Sequence, residues 1–292
     1  MDKTNNENLT LGQNFIKDSK LIPSLIKTAK IKSSDTVVDI GTGRGKITYE
    51  LAKVADKVVS IEKDKRLYEE AKENYANFTN IHFLNIDFLR YKFPERGDYK
   101  ILSNIPFNST ASFIKKITDI KNPNPPKETY LIVQKEAAKR FSGRDLVASL
   151  IFPFFTTRII KKLDVTKFHP IPDVDIVFFE IKRRNEPLIV PAERLLFSDF
   201  LTYIFKSRSS DFYNATKKLL TFKTQKRLCL DNNISMNTML REIHPAEWIN
   251  VYKVFRKQAT DTQIKVIGTH SHYKRNDSKL KKDHRTRNRF KT

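Results

Sequence analysis

Four short runs before residue 110 hold side chains that could do chemistry. They are Val37 to Thr48 (VVDIGTGRGKIT), Val59 to Glu62 (VSIE), Asn85 to Phe88 (NIDF) and Ser103 to Phe107 (SNIPF). The chain has only seven glycines, and Gly41, Gly43 and Gly45 fall within five residues. Glycine is costly to fix and is used where backbone must come close to something. The glycine run follows an apolar β-rich segment and opens a helical one. That is where α/β sheets bind ligands, outside the carboxyl ends of their strands. Its spacing is GxGxG, not the GxGxxG of pyrophosphate binders, and no Gly-Lys-Ser/Thr follows as in a Walker loop. By itself the loop is either a nucleotide or cofactor cradle or a tight turn. Glu62 ends the next run, 21 residues after Gly41. A carboxylate there can accept hydrogen bonds from both ribose hydroxyls. Asp87 follows the third run, where it can accept from an adenine amino group or simply cap a turn.

Asn104, Ile105, Pro106 and Phe107 close the fourth run. An exocyclic amine gives its lone pair to the ring and is a poor nucleophile. The Asn104 side-chain oxygen and a nearby backbone carbonyl can accept its two N–H bonds, which favours a tetrahedral nitrogen whose lone pair faces a methyl donor. Pro106 fixes φ and has no N–H. Phe107 offers a ring for a base to stack on. The gain is mainly positioning and electrostatics, and the chemistry calls for no metal. As a lone tetrapeptide the run also reads as a strand-ending turn.

The elements that must position these groups alternate. Strands are expected at Thr36–Ile40, Lys57–Ile61, Ile81–Asn85, Tyr99–Ser103, Thr129–Gln134, Ile159–Val165 and Asp175–Ile181, with helices at Lys46–Ala55, Lys65–Phe78, Thr110–Asp119 and Lys135–Phe141. This alternation predicts a parallel sheet covered on both faces. The last two strands have no helix-length insert and predict an antiparallel pair at the sheet's edge. After Lys182-Arg183-Arg184-Asn185 the composition changes. Apolar residues recur at helical spacing to about Lys257 without a glycine, which predicts a small all-helical domain. Apolar periodicity is lost from Thr262. The expected organisation is a sheet domain over 1–184, a helical lobe over 185–261 expected to bind RNA, and a flexible basic tail over 262–292.

The net charge is +22. The stretch from Thr262 contributes +8, and the remainder still holds 45 Lys and Arg against 31 Asp and Glu. A chain this basic is expected to meet a polyanion, most often nucleic acid. No window approaches 18 uninterrupted apolar residues, so no bilayer span is expected, and the polar N-terminus shows no signal-peptide pattern. Cys229 is the only cysteine, which rules out an internal disulfide, fits a reducing cytoplasm and leaves no zinc-ligand spacing.

With these motifs in order, the chain resembles the Erm family of rRNA adenine N6-methyltransferases. That family lies within the larger group that includes the small-subunit rRNA adenine dimethyltransferases. The resemblance runs from about Leu11 to about Lys257. It also covers LGQNFI (Leu11 to Ile16), LIVQKEAAKRF (Leu131 to Phe141), FHPIPDVD (Phe168 to Asp175) and PAEWINVYKVF (Pro245 to Phe255). It implies a Rossmann-like, seven-stranded, class I S-adenosylmethionine-dependent methyltransferase domain with a small C-terminal all-helical domain. It implies S-adenosylmethionine as donor and no metal. By motif match, Asn14 and Ile16 would contact the donor near its methionine part. Gly41, with Gly43, would lie beneath that part. Glu62 would hold the ribose and Asp87 the adenine amino group. Asn104 would bridge donor and target amine, with Phe107 stacked on the target base and Phe168 stacked from the other side. Two positions depart from common forms: Asp39 replaces Glu, and Phe107 replaces Tyr, so any role for a hydroxyl there falls away.

Within the group, Thr42 stands where the dimethyltransferases usually carry Pro, and DFYNATKKLL (Asp211 to Leu220) replaces their RRKTLRN-like stretch. LRYKF (Leu89 to Phe93) and Glu247-Trp248 also resemble Erm. The implied activity is mono- or dimethylation of N6 of an adenine in 23S rRNA, before full ribosome assembly. The implied phenotype is resistance to macrolides, lincosamides and streptogramin B, and the implied enzyme is a cytoplasmic monomer. The alternative is a 16S rRNA adenine dimethyltransferase in ribosome assembly; a non-catalytic RNA-binding factor is the rival from another class. Lys135, Lys139, Arg140 and Arg144 cluster after the fifth strand and are expected to bind rRNA phosphates, with the target base flipped out of its stack.

Overall fold

The computed structural model describes residues 14–119 and 122–268. Leu11 to Gln13 of LGQNFI, and the basic run from 269 onward, lie outside the described residues. In chain order the first elements are β1 (Phe15–Ile16), α1 (Leu21–Thr28), β2 (Thr36–Ile40), α2 (Lys46–Ala52), β3 (Lys57–Glu62), α3 (Lys65–Asn74), β4 (Ile81–Asn85), β5 (Lys100–Asn104) and α4 (Thr110–Ile117). There follow β6 (Glu128–Gln134), α5 (Lys135–Ser142), α6 (Leu146–Ile151), β7 (Phe155–Leu163), β8 (Phe168–His169) and β9 (Ile176–Arg183). The last helices are α7 (Arg194–Phe205), α8 (Phe212–Thr216), α9 (Phe222–Asp231), α10 (Pro245–Gln258) and α11 (Asp261–Gly268).

Seven strands form one sheet in the order β4-β3-β2-β5-β6-β9-β7. The first five are mutually parallel, and β9 runs antiparallel to both β6 and β7. Central strands are apolar on both faces, as a doubly covered sheet requires: Val37, Val38, Ile101, Leu102, Leu131 and Ile132 are all fully buried. The strand order reverses between β2 and β5, and that switch point, outside the strands' carboxyl ends, is where sheets of this kind bind ligands. β7 begins at Phe155, four residues before the expected start, and breaks register between Ile159 and Lys161. With β4, this is one of the sheet's two edge strands. Its exposed Arg158 and Lys162 and its irregularity discourage pairing with another chain.

Local chemistry starts the helices. Asp64 Oδ1 accepts from Arg66 and Leu67 N–H at the head of α3. His244 and Glu247 form a reciprocal capping box on α10, with His244 N–H donating to Glu247 Oε2 at 2.7 Å.

The chain divides into two compact units. One comprises the described residues up to Gly143 together with Phe154–Pro187; the other comprises Arg144–Pro153 and the described residues from Leu188 on. The second unit therefore takes α6 from the middle of the sequence, where the expected division at 184 put it in the first. Ala148, Ser149 and Ile151 are buried, and α6 packs on α7 and α10. The second unit is wholly helical apart from a bridge between Asp211 and Met239. It packs around Phe197, Phe200, Trp248, Tyr252 and Phe255, each no more than 1% exposed.

The stretch from Thr262 corrects the expected tail in part. Residues Asp261–Gly268 are helical, Ile267 is fully buried, and α11 packs on α7. Thr260 and Gln263 cap it reciprocally, Thr260 N–H to Gln263 Oε1 at 2.9 Å and Gln263 N–H to Thr260 Oγ1 at 3.3 Å. No helix among the described residues is long and apolar enough to cross a membrane.

Candidate active site

The four motifs arrive at one edge because β4, β3, β2 and β5 are adjacent and parallel. Gly41 follows β2, Glu62 ends β3, Asp87 lies two residues beyond β4, and Asn104 ends β5. Gly41 has φ of +75°, and a Cβ there would stand 3.8 Å from Pro106 Cδ. The glycine loop and the Asn-Ile-Pro-Phe turn thus approach each other across the β2/β5 switch point. Gly45 is different. A Cβ at Gly45 would run into the Tyr75 ring, so this glycine serves packing between α2 and α3.

Glu62 is 7% exposed and braces the loop. Its Oε2 accepts from Gly43 N–H at 2.8 Å and its Oε1 from Asp64 N–H at 2.8 Å. Each carboxylate oxygen keeps a second lone pair for a ligand hydroxyl. Asp87 caps the 3₁₀ turn at Phe88–Arg90 by accepting from Leu89 N–H at 2.9 Å, and Lys63 Nζ lies 3.8 Å from its other oxygen.

Behind the loop runs a buried polar chain with no counterpart in the sequence reading. Asp39 Oδ2 accepts from Thr48 Oγ1 at 2.7 Å; Thr48 and Ser60 hydroxyls meet at 2.9 Å; Ser60 and Thr42 hydroxyls meet at 2.6 Å. All four residues are buried. Burial pushes the Asp39 carboxyl up to about 7, against the pull of the Thr48 and Ser103 hydroxyls and with help from the Glu62 charge. Thr42 therefore ties the loop to β3 through its hydroxyl, which a proline there could not do. No spacing rule signals this chain, because its members meet only when β2, α2 and β3 pack.

The Asn14–Phe15–Ile16 segment lies over the loop. Phe15 would meet a Gly43 Cβ at 3.1 Å, and Lys46 Nζ donates to the Ile16 carbonyl at 3.0 Å. Asn104 Nδ2 donates to the Asn14 carbonyl at 2.6 Å. A carbonyl can only accept, so this bond fixes which way the Asn104 amide faces, and no donor among the described residues bonds Oδ1. The Ile16 side chain is core, 5% exposed, so any contact it makes with a ligand is through its backbone.

Phe107 begins a 3₁₀ turn and is partly buried against the core. Phe168 is not placed as the sequence suggests. It sits on β8, pairs antiparallel with Ile16 on β1, and is 0% exposed within the same core. A ring packed on all sides cannot receive a base, so the expected second stacking face is corrected to a core aromatic.

The four expected phosphate-binding cations are partly engaged. Lys135 pairs with Asp175 at 3.1 Å, and Lys139 with Glu136 at 2.8 Å. Both pairs are solvent-exposed and hence weak, so they do not preclude a phosphate contact. Arg140 lies on α5 with them, while Arg144 belongs to the second unit and donates to the Glu242 carbonyl at 2.6 Å.

A glycine loop, a strand-end carboxylate and an Asn-Ile-Pro-Phe turn on the carboxyl edge of this sheet define a Rossmann-like methyltransferase. The family model described as ribosomal RNA adenine dimethylase matches residues 4–257. An rRNA adenine N-6-methyltransferase of Escherichia coli is 32% identical over 181 residues, covering 62% of this chain and 73% of that protein. A ribosomal RNA small subunit methyltransferase A of Clostridium botulinum (strain Loch Maree / Type A3) is 33% identical over 224 residues, covering 73% and 80%. The crystal structure of the 23S rRNA methyltransferase ErmE superposes with a TM-score of 0.75 at 23% identity, covering 83% of this chain and 99% of that one. The chain belongs to the ribosomal RNA adenine dimethylase family and is an rRNA adenine methyltransferase.

S-adenosylmethionine is the methyl donor this family implies, and the edge fits an adenine nucleoside. Gly41 leaves open the space that a Cβ would take beside Pro106, and the Glu62 and Asp87 carboxylates stand at the ends of adjacent strands. Bound there, the donor supplies an electrophilic methyl group.

Proposed function

We propose that this chain transfers one or two methyl groups to N6 of an adenine in 23S rRNA, and that the resulting phenotype is macrolide, lincosamide and streptogramin B resistance. The observation that carries the catalytic part is the bond from Asn104 Nδ2 to the Asn14 carbonyl, which orients the amide so that Oδ1 is the acceptor left for the target amine. We assign the Ile105 backbone carbonyl as the second acceptor; the neighbouring Pro106 carbonyl accepts from Ser109 N–H at 3.0 Å, a bond that uses one of its two lone pairs. Two acceptors on one amine draw its nitrogen towards tetrahedral geometry and aim its lone pair at the donor. Phe107 stacks on the extruded base. Once methylated, the amine is acidic enough to release its proton to water. Glu62 holds the ribose of the donor and Asp87 its adenine amino group. Gly43 and the backbone of Asn14 and Ile16 line the methionine end. Lys135, Lys139, Arg140 and Arg144 hold rRNA phosphates, and the helical unit adds RNA affinity. The enzyme acts as a cytoplasmic monomer on rRNA not yet fully assembled.

Thr42 in the glycine loop favours 23S rRNA, since relatives that modify the small subunit usually carry proline there. The 33% identity to a small-subunit methyltransferase keeps 16S rRNA as the second reading. Incubation with labelled donor and deproteinised 23S or 16S rRNA, followed by mapping of the modified base, decides between them. Label in 16S alone would reject the 23S assignment, and label in neither would reject the catalytic reading.

A further inference from the structure

We infer that the helical unit carries a base-stacking platform for unpaired RNA, built on Phe222 and Tyr213 and flanked by Lys217, Lys218, Lys223 and Lys226. The inference rests on the reading of the chain as an RNA-modifying enzyme, but assigns a contact away from the glycine loop and the Asn-Ile-Pro-Phe turn.

Phe222 is 62% exposed although it opens a well-anchored helix. Thr221 Oγ1 caps α9 by accepting from Thr224 N–H at 3.2 Å. Gln225, 1% exposed, donates to the Tyr213 carbonyl at 3.0 Å and to Thr216 Oγ1 at 2.8 Å, which locks α9 to α8. Leu219 and Leu220 are buried just before the cap. Every neighbour is fixed, and the ring is left outside. It meets Tyr213 nearly at right angles, 84° with centroids 6.1 Å apart. The two rings form an edge-to-face ledge at the start of α9.

The charge around the ledge is one-sided. From Lys206 to Arg227 the chain has seven Lys and Arg and one acid, Asp211, and Arg227 at the end of that run pairs with Asp231 at 3.6 Å. Asp211 is occupied in capping α8, where it accepts from Asn214 N–H at 2.9 Å. Lys217 lies over the Tyr213 ring at 5.9 Å and donates to the neutral Asn214 side chain. Among the described residues no carboxylate pairs with Lys218, Lys223 or Lys226. Lys226 lies four residues from Phe222, on the same helical face. An exposed Phe222 ring backed by the half-buried Tyr213 and flanked by Lys218, Lys223 and Lys226 matches the chemistry of single-stranded RNA: a ring face for a base, ammonium groups for the backbone. An apolar protein partner would be met by a ledge without the three lysines Lys218, Lys223 and Lys226 beside it.

The test uses the full chain and a stem-loop RNA carrying 2-aminopurine at its unpaired positions. Phe222→Ala should weaken binding by about 5- to 150-fold, the range for loss of one base–aromatic stack. Phe222→Trp should retain both affinity and the fluorescence change of the probe. Phe222→Leu keeps apolar bulk without a ring and should behave like Ala. Lys223→Gln with Lys226→Gln should lower the slope of log affinity against log salt by about 2. Calorimetric binding of S-adenosylmethionine should stay unchanged in every variant, and the exposed positions should leave Tm unchanged. Full affinity in Phe222→Leu would overturn stacking. Unchanged RNA affinity in Phe222→Ala, with loss of a dimer in sedimentation, would overturn it in favour of a self-contact. If the wild-type chain methylates rRNA yet Phe222→Ala binds it normally, only this inference fails; if no rRNA is bound or methylated, the functional reading fails first.

Discussion

Asn104 Nδ2 and the Asn14 carbonyl, 90 positions apart in sequence, stand 2.6 Å from each other. The bond converts a symmetric-looking carboxamide into one with a defined acceptor side. It also ties the segment ahead of α1 to the carboxyl end of β5. Replacing Asn104 with Ala should lower kcat by about 100- to 1000-fold, the usual loss for one preorganised hydrogen-bonding group at a reacting centre. RNA affinity should hardly change. Asn104→Asp should be nearly as inactive, because a carboxylate cannot donate to the Asn14 carbonyl and is repelled by it. Single-turnover methyl transfer alongside filter binding measures both, and an active Asn104→Ala enzyme would remove the amide from the mechanism.

Glu62 should separate loop bracing from ligand binding. Glu62→Gln keeps the shape and acceptor oxygen but offers an N–H to one backbone donor, either Gly43 or Asp64. S-adenosylmethionine affinity should fall by at least 10-fold, from lost bonds of about 1.5–3 kcal/mol to a charged acceptor. Calorimetry gives the answer directly; wild-type affinity in Glu62→Gln would mean that the carboxylate only braces the loop.

Asp39 should make stability depend on pH. Its carboxyl is pushed up to about 7 in the folded chain from an ordinary 3.8. Between those values the folded chain holds a proton that the unfolded chain has released. The site therefore favours folding least at high pH, and its contribution is lost as pH rises from about 4 to about 7. Asp39→Asn cannot titrate there. The Tm of the variant relative to the parent should climb across that window and level off above it. A constant difference from pH 4 to pH 8 would show that the carboxyl is ionised in the folded chain.

Trp248 should carry much of the helical unit. It is fully buried, with Phe205 and Phe212 rings 5.5 and 6.2 Å away. Trp248→Ala should cost about 3–5 kcal/mol. Thermal or urea unfolding reads the loss, and a change below 1 kcal/mol would mean that the helices repack freely.

The gathering of the four motifs at the sheet's carboxyl edge was legible because its signals are local. A glycine run after a β-branched run and an acid at the next strand end each follow from short-range backbone rules, and five parallel strands then align their carboxyl ends. The helix at Asp261–Gly268 was also within reach, since Thr260 and Gln263 have capping-box spacing, but the basic composition that follows masked it.

What the order of residues determined by itself was the strand–helix alternation, the sheet edge at which the four motifs gather and the residue types present there. What tertiary structure decided was who is inside. Phe168 became core because β8 pairs with β1; α6 joined the helical unit because Ala148 and Ile151 face α7 and α10; Asp39 was driven towards its neutral form by packing of α2 on β2 and β3. Burial and long-range hydrogen bonds belong to pairs of segments. Chain neighbours set local conformation, but they do not fix which distant segment covers a ring or meets an amide.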